Sequence, residues 1–174
     1  MKKILLVLLI PVLFYGCHSS KELDAVEVLS IKKTTDALIT NWHAAASNAN
    51  YQNYFGALDS LSVFIGTDAS ENWTKAQFAA FSKPYFDQGK AWDFKTLERN
   101  MYLNTTGNVV WFDELLSTWM GTCRGSGVLE KTKETWKIKH YVLSVEVPND
   151  AVQAVIEVKK KSDAIFLSNF KPLK

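Results

Sequence analysis

Val109-Val110-Trp111-Phe112-Asp113-Glu114-Leu115-Leu116, Cys123-Arg124-Gly125-Ser126-Gly127-Val128-Leu129 and Trp136-Lys137-Ile138-Lys139-His140-Tyr141-Val142-Leu143-Ser144 follow one another between Asn108 and Pro148. Each run is rich in β-branched and aromatic residues, and turn residues at Gly121 and over Glu130 to Glu134 separate them, so the three read as consecutive strands. Asp113, Glu114, Arg124 and His140 interrupt the tryptophans and aliphatics of these strands. Such a composition suits a sheet with one face lining a cavity rather than a solid core. Side chains alternate along a strand, so Trp111 and Asp113 face one way and Phe112 and Glu114 the other. One of the two carboxylates therefore points to the concave side, and the pattern leaves open which. By the same alternation Arg124 shares a face with Ser126 and Val128, and His140 with Trp136, Ile138, Val142 and Ser144.

Upstream, Leu97, Arg99, Met101 and Leu103 alternate with Thr96, Glu98, Asn100 and Tyr102, and Thr105-Thr106-Gly107-Asn108 makes a hairpin turn into the first quoted strand. The result is a four-stranded meander. The N-terminal half has helical spacing instead. Leu23 to Asn50 reads as one long helix, with Leu38, Trp42, Ala45 and Ala46 at i, i+4, i+7 and i+8. Tyr51 to Leu58 is a short aromatic helix, and Leu61 to Thr67, with Leu61, Val63 and Ile65 alternating, is a short strand. A second long helix spans Thr74 to Gly89, with Thr74 as N-cap, Gln77 completing a capping box and Gly89 as the stop. Pro148-Asn149-Asp150 ends the last strand and starts a final helix through Lys161. Helices first and a meander after give an α+β fold, with N-terminal helices packed on one face of a curved antiparallel sheet.

The N-terminus is a targeting segment. Lys2 and Lys3 precede an apolar run from Ile4 to Phe14, too short for a membrane span of roughly 20 residues, and Gly16-Cys17 offers a processing site. Leu13-Phe14-Tyr15-Gly16-Cys17 resembles a bacterial lipobox, which implies cleavage before Cys17 and acylation of its sulfur. The expected organisation is a signal peptide over residues 1–16, a lipidated tether over 17–22 and a single domain over 23–174. The expected location is the cell envelope, on the outer membrane of a Gram-negative bacterium, with the lipid as the domain's only membrane contact. Without Lys2 and Lys3, 18 basic residues face 18 acidic ones, so no basic face exists for a nucleic acid. Lys159-Lys160-Lys161 reads as a solvated helix end. Cys123 is the only cysteine left beyond the lipobox, which excludes an internal disulfide and makes it a packing residue. His18, His43 and His140 are too few for a histidine-rich zinc site, and no phosphate-cradling glycine loop is present: Gly125-Ser126-Gly127 lies within a strand, where it allows a bend or bulge. Neither a metal nor a cofactor is expected.

The helix bearing Trp42 and Ala46, the strand Ser62-Val63-Phe64-Ile65-Gly66, Val110-Trp111-Phe112, the arginine strand from Arg124 and the Trp136-Lys137-Ile138-Lys139-His140 strand together resemble the SnoaL-like domains of the nuclear-transport-factor-2-like, or ketosteroid-isomerase-like, superfamily. The likeness covers roughly Asp36 to Pro148. It implies a cone-shaped half-barrel whose bent sheet wraps a pocket closed by the N-terminal helices. Members of that superfamily act as isomerases, cyclases, dehydratases or epoxide hydrolases, bind ligands, or associate as dimers. The fold does not choose among these.

The expected ligand site combines Arg124, as an anchor for an acidic group, with His140 and the aromatic walls Trp111, Trp42, Tyr54 and Tyr85. An isomerase, lyase or hydrolase would use His140 as acid or base with Asp113 or Glu114 as its partner. The same residues suit a cross-strand ion pair and a packed histidine, and that structural role is favoured over chemistry. The leading expectation is a domain that binds a small, partly apolar ligand, an acidic one where Arg124 is its anchor, as a homodimer, ahead of an enzyme and of a ligand-free dimeric interaction protein.

Overall fold

The computed structural model describes residues 23–133 and 135–170; the signal segment, Cys17 and the tether lie outside the described residues. Helix α1 (Ala25–Ser47) starts at a capping box in which Asp24 accepts from the Glu27 amide and Glu27 accepts from the Asp24 amide. Its buried stripe is Thr35, Ile39, Trp42, His43 and Ala46, the spacing that turns one side of a helix inward. Helix α2 (Tyr51–Ala57) follows at once and runs into strand β1 (Leu58–Ile65). A three-residue strand β2 (Asn72–Thr74), unforeseen in the sequence, pairs antiparallel with β1 and carries the N-cap of α3 (Lys75–Asp87), where Thr74 and Gln77 form the second capping box.

The meander follows as β3 (Lys95–Leu103), β4 (Val109–Thr118), β5 (Gly121–Thr132) and β6 (Thr135–Val145). The sheet has six strands in the order β2-β1-β6-β5-β4-β3. It is mixed, which corrects the antiparallel expectation: β1 lies parallel to β6, with Val63 opposite His140 and Phe64 opposite Tyr141. A parallel pair needs a long crossover, and the whole segment from β2 to β5 supplies it. The sheet is curved and unclosed, and α1, α2 and α3 cover its inner face.

Inward positions on β4 are Val110, Phe112, Glu114 and Leu116, all buried. On β5 they are Cys123, Gly125, Gly127 and Leu129, and on β6 Ile138, Tyr141 and Leu143. The step from 138 to 141 on β6 breaks the period of two. Val128 pairs with His140 but Leu129 with Ile138, so Lys139 is an extra residue in a β-bulge. That one residue sends His140 to the outer face, away from Ile138. Gly125 and Gly127 sit where the sheet leaves no room for a side chain. A Cβ on Gly125 would lie 2.2 Å from the Tyr141 hydroxyl, and one on Gly127 would lie 2.7 Å from the Phe112 ring. Close packing, rather than the expected bend or bulge, is the reason for both glycines.

Helix α4 (Val152–Ser168) runs past the expected end at Lys161 and buries none of its residues. Lys159 pairs with Asp163 and Lys160 with Glu157 along its solvated side. Among the described residues no helix is long and apolar enough to cross a membrane.

Candidate functional site

Glu114 is fully buried at the centre of β4, and three side chains donate to its carboxylate. Its Oε1 accepts from His43 Nε2 on α1 at 2.8 Å and from the Tyr141 hydroxyl on β6 at 2.8 Å. Its Oε2 accepts from Arg99 Nε on the facing position of β3 at 2.9 Å, with Arg99 Nη2 also at 2.9 Å. The Arg99 side chain is itself only 4% exposed and spends its remaining donors on Asp36 Oδ1 at 2.7 Å, Thr40 Oγ1 at 3.0 Å and Thr96 Oγ1 at 3.0 Å. Burial alone would raise the Glu114 carboxyl. The hydrogen bond from His43, the attraction of Arg99 and the bond from Tyr141 outweigh it and hold Glu114 below the usual glutamate range. Glu114 is therefore a carboxylate. Burial, and after it the adjacent Glu114 charge, push the Tyr141 phenol well up, so Tyr141 stays protonated and donates. A buried carboxylate is tolerated when its lone pairs are filled in this way.

Next to this cluster lies a cavity of about 370 Å³ between the helices and the sheet, within the usual range for small-ligand sites. Nine of its sixteen lining residues are aromatic, and neither Lys nor Arg is among them. Tyr54, Phe64 and Phe78 form its buried inner wall, and His43 reaches it from α1. Phe78 stacks on Phe64 with ring centroids 3.9 Å apart and lies within 9° of parallel to Trp73. Tyr85, Phe81 and Trp119 are exposed and stand at the mouth; Trp119, at the β4–β5 turn, is 81% exposed. Burial pushes the Tyr54 phenol well up, which keeps that wall uncharged.

The expected site residues are divided between the two faces of the sheet. Tyr54 and Tyr85 line the cavity. Trp42 is buried in the core, stacked on Tyr54 at 4.9 Å, and is not part of the cavity lining. Trp111 lies on the outer face, stacked on Tyr102 at 6.0 Å. Arg124 is also outside and half-exposed, pairing with Glu146 at 3.1 Å and Asp113 at 3.5 Å, the cross-strand role weighed for it above. His140 and Asp113 point outward while Glu114 points inward, so the set His140 with Asp113 or Glu114 shares no site with the cavity. The inner residues that the strand alternation did not assemble are His43, Arg99 and Tyr141. A clue was present for two of them: His43 continues the Thr35–Ile39 spacing, and Arg99 alternates in phase with Met101 and Leu103. Among the described residues no group of His, Cys, Asp and Glu could hold a metal ion.

A curved, open sheet with three helices over its inner face and an aromatic cavity between them defines the cone-shaped α+β class. The chain belongs to the SnoaL-like domain family, whose model matches residues 36–148. Solved structures share the fold at low identity. An NTF2-like protein of unknown function from Pseudomonas putida KT2440 matches with a TM-score of 0.59 at 11% identity, over 71% of this chain and 92% of that one. A cystatin-like-fold protein from Nostoc punctiforme gives 0.54 at 12%, over 72% and 96%. The association domain of CaMKII from C. elegans gives 0.52 at 17%, over 69% and 96%. No curated protein matches the chain.

Proposed function

We propose that this SnoaL-like domain binds a small, predominantly apolar ligand in the cavity between α1, α3 and the inner sheet face. The observation that carries the reading is the cavity itself: about 370 Å³, walled by aromatic side chains, with Glu71 and the His43 edge of the Glu114 cluster as its polar borders. Rings of this kind supply apolar contact area and stacking surfaces, and the absence of Lys and Arg from the lining disfavours an acidic ligand. Native mass spectrometry of protein purified from its own host tests this. A bound mass that disappears on denaturation is the expected result. Absence of any carried mass, together with failure of apolar probes to quench the cavity tryptophans, would sink the reading.

The N-terminal pattern ending at Cys17 supports an exported domain tethered to the envelope by lipid. Cys17→Ser should release it from membranes, and unchanged fractionation refutes the anchor. The likeness to an association domain supports a homodimer, to be read by light scattering on the purified protein; a monomer at all concentrations refutes it.

A further inference from the structure

His43 is the one residue that belongs both to the buried cluster and to the cavity wall. Glu114 is a carboxylate already accepting from Arg99 and Tyr141, so it has no proton to give, and the hydrogen between it and His43 sits on Nε2. In the neutral ring this fixes the tautomer: Nε2 donates and Nδ1 carries the lone pair. Nδ1 has no hydrogen-bond partner among the described residues, and the ring is 7% exposed. The rest of the inner wall is aromatic, with Phe64, Phe78 and Trp73 nearly parallel. Flat rings stack well on such a surface.

Taking the cavity as the ligand site, as proposed above, we infer that His43 Nδ1 is its inner hydrogen-bond acceptor and that the ligand is a flat aromatic molecule carrying a ring N–H or hydroxyl donor. Glu114 is then a positioning residue: it holds the imidazole in the accepting tautomer, and Arg99 and Tyr141 hold Glu114. An aromatic carboxylate would meet a lone pair at Nδ1 and no Lys or Arg on the wall, so acidic ligands are rejected. A purely apolar arene fits but leaves the acceptor unpaired, which costs affinity.

Indole and benzothiophene have the same shape, and only indole has a donor. Calorimetric titration of the purified protein should show indole binding about tenfold more tightly, the effect of one additional hydrogen bond. His43→Phe should abolish that preference while benzothiophene still binds. Equal binding of both probes to the unaltered protein overturns the inference and leaves the cavity reading standing. Binding of neither overturns both. Should His43→Phe fail to fold, nitrogen NMR of the histidine ring in the intact protein decides alone: a neutral ring with its proton on Nε2 is expected, and a proton on Nδ1, whether in the other tautomer or in an imidazolium, refutes the acceptor.

Discussion

Gly125→Ala is the sharpest test of the buried cluster, because a single methyl meets two side chains that cannot retreat. The new Cβ would lie 2.2 Å from the Tyr141 hydroxyl and 2.9 Å from both Cγ and Oε1 of Glu114. Tyr141 is 1% exposed and Glu114 0%, so neither has solvent to swing into. Gly125 has no positive φ, and alanine on an ordinary strand backbone would otherwise gain about 0.5–1 kcal/mol. Against that stand overpacking at about 1–3 kcal/mol and the loss of a hydrogen bond to a charged acceptor at about 1.5–3 kcal/mol. The net expectation is a destabilisation of about 1.5–5.5 kcal/mol, read as a lower urea midpoint by tryptophan fluorescence. The diagnostic is the pair with Tyr141→Phe, which alone should cost about 1.5–3 kcal/mol. Removing the hydroxyl also removes the worst clash, so the double variant should be at least about 1.5 kcal/mol more stable than the two single costs predict. Additive effects, or a Gly125→Ala cost below about 1 kcal/mol, would refute the close approach of β5 to the Glu114–Tyr141 bond.

Four further outcomes follow from the same geometry. Glu114 has a folded pKa below its unfolded value, so its contribution is fully present above the ordinary glutamate range and is lost as pH falls through the depressed value; Glu114→Gln should flatten that acid loss in a series of melts, and an unchanged acid limb would mean Glu114 is not the group titrating. Arg99→Met leaves the buried carboxylate without its cation and should cost about 3–5 kcal/mol by chemical denaturation, whereas a cost under about 1 kcal/mol contradicts its 4% exposed side chain. Arg124→Ala, on the half-exposed outer face, should cost no more than about 1 kcal/mol and leave probe binding in the cavity unchanged; weaker binding would restore Arg124 as a ligand anchor. Trp119→Ala should leave the midpoint within about 0.5 kcal/mol and weaken binding of apolar probes, and unaltered binding would move the mouth away from the β4–β5 turn.

Much of the architecture was readable from periodicity. The meander, the capping box of α3 and the aromatic helices all rest on local signals, and local signals survive folding. What could not be read depends on contacts between distant segments. The parallel pairing of β1 with β6 joins residues some eighty positions apart, and neither strand announces its partner. The three-residue β2 exists because β1 offers it an edge, not because Asn72-Trp73-Thr74 prefers to be extended. Whether Asp113 or Glu114 faced inward was a question of register, answered once Val110, Phe112 and Leu116 were buried on the same side as Glu114.

His140 and His43 show how one backbone irregularity redirects a functional reading. Strict alternation groups His140 with Ile138 and so aims it at the core, within reach of an inward carboxylate. The extra residue Lys139, held outside by Asp59 at 3.1 Å and Glu130 at 3.2 Å, shifts the phase and hands the inward position to Tyr141. The carboxylate did receive a histidine, but from α1, seventy-one residues earlier in the chain. That difference matters chemically. A histidine on β6 would have been a neighbour within one sheet, available for a structural pair on an open face. His43 instead crosses from the helical layer to the sheet, so its ring stands at the boundary where the two layers part to form the cavity. The bulge that removes His140 from the inner face also places the Tyr141 hydroxyl on Glu114, where it joins His43 and Arg99 in holding that carboxylate ionised, the state in which Glu114 takes the His43 Nε2 proton as a hydrogen bond.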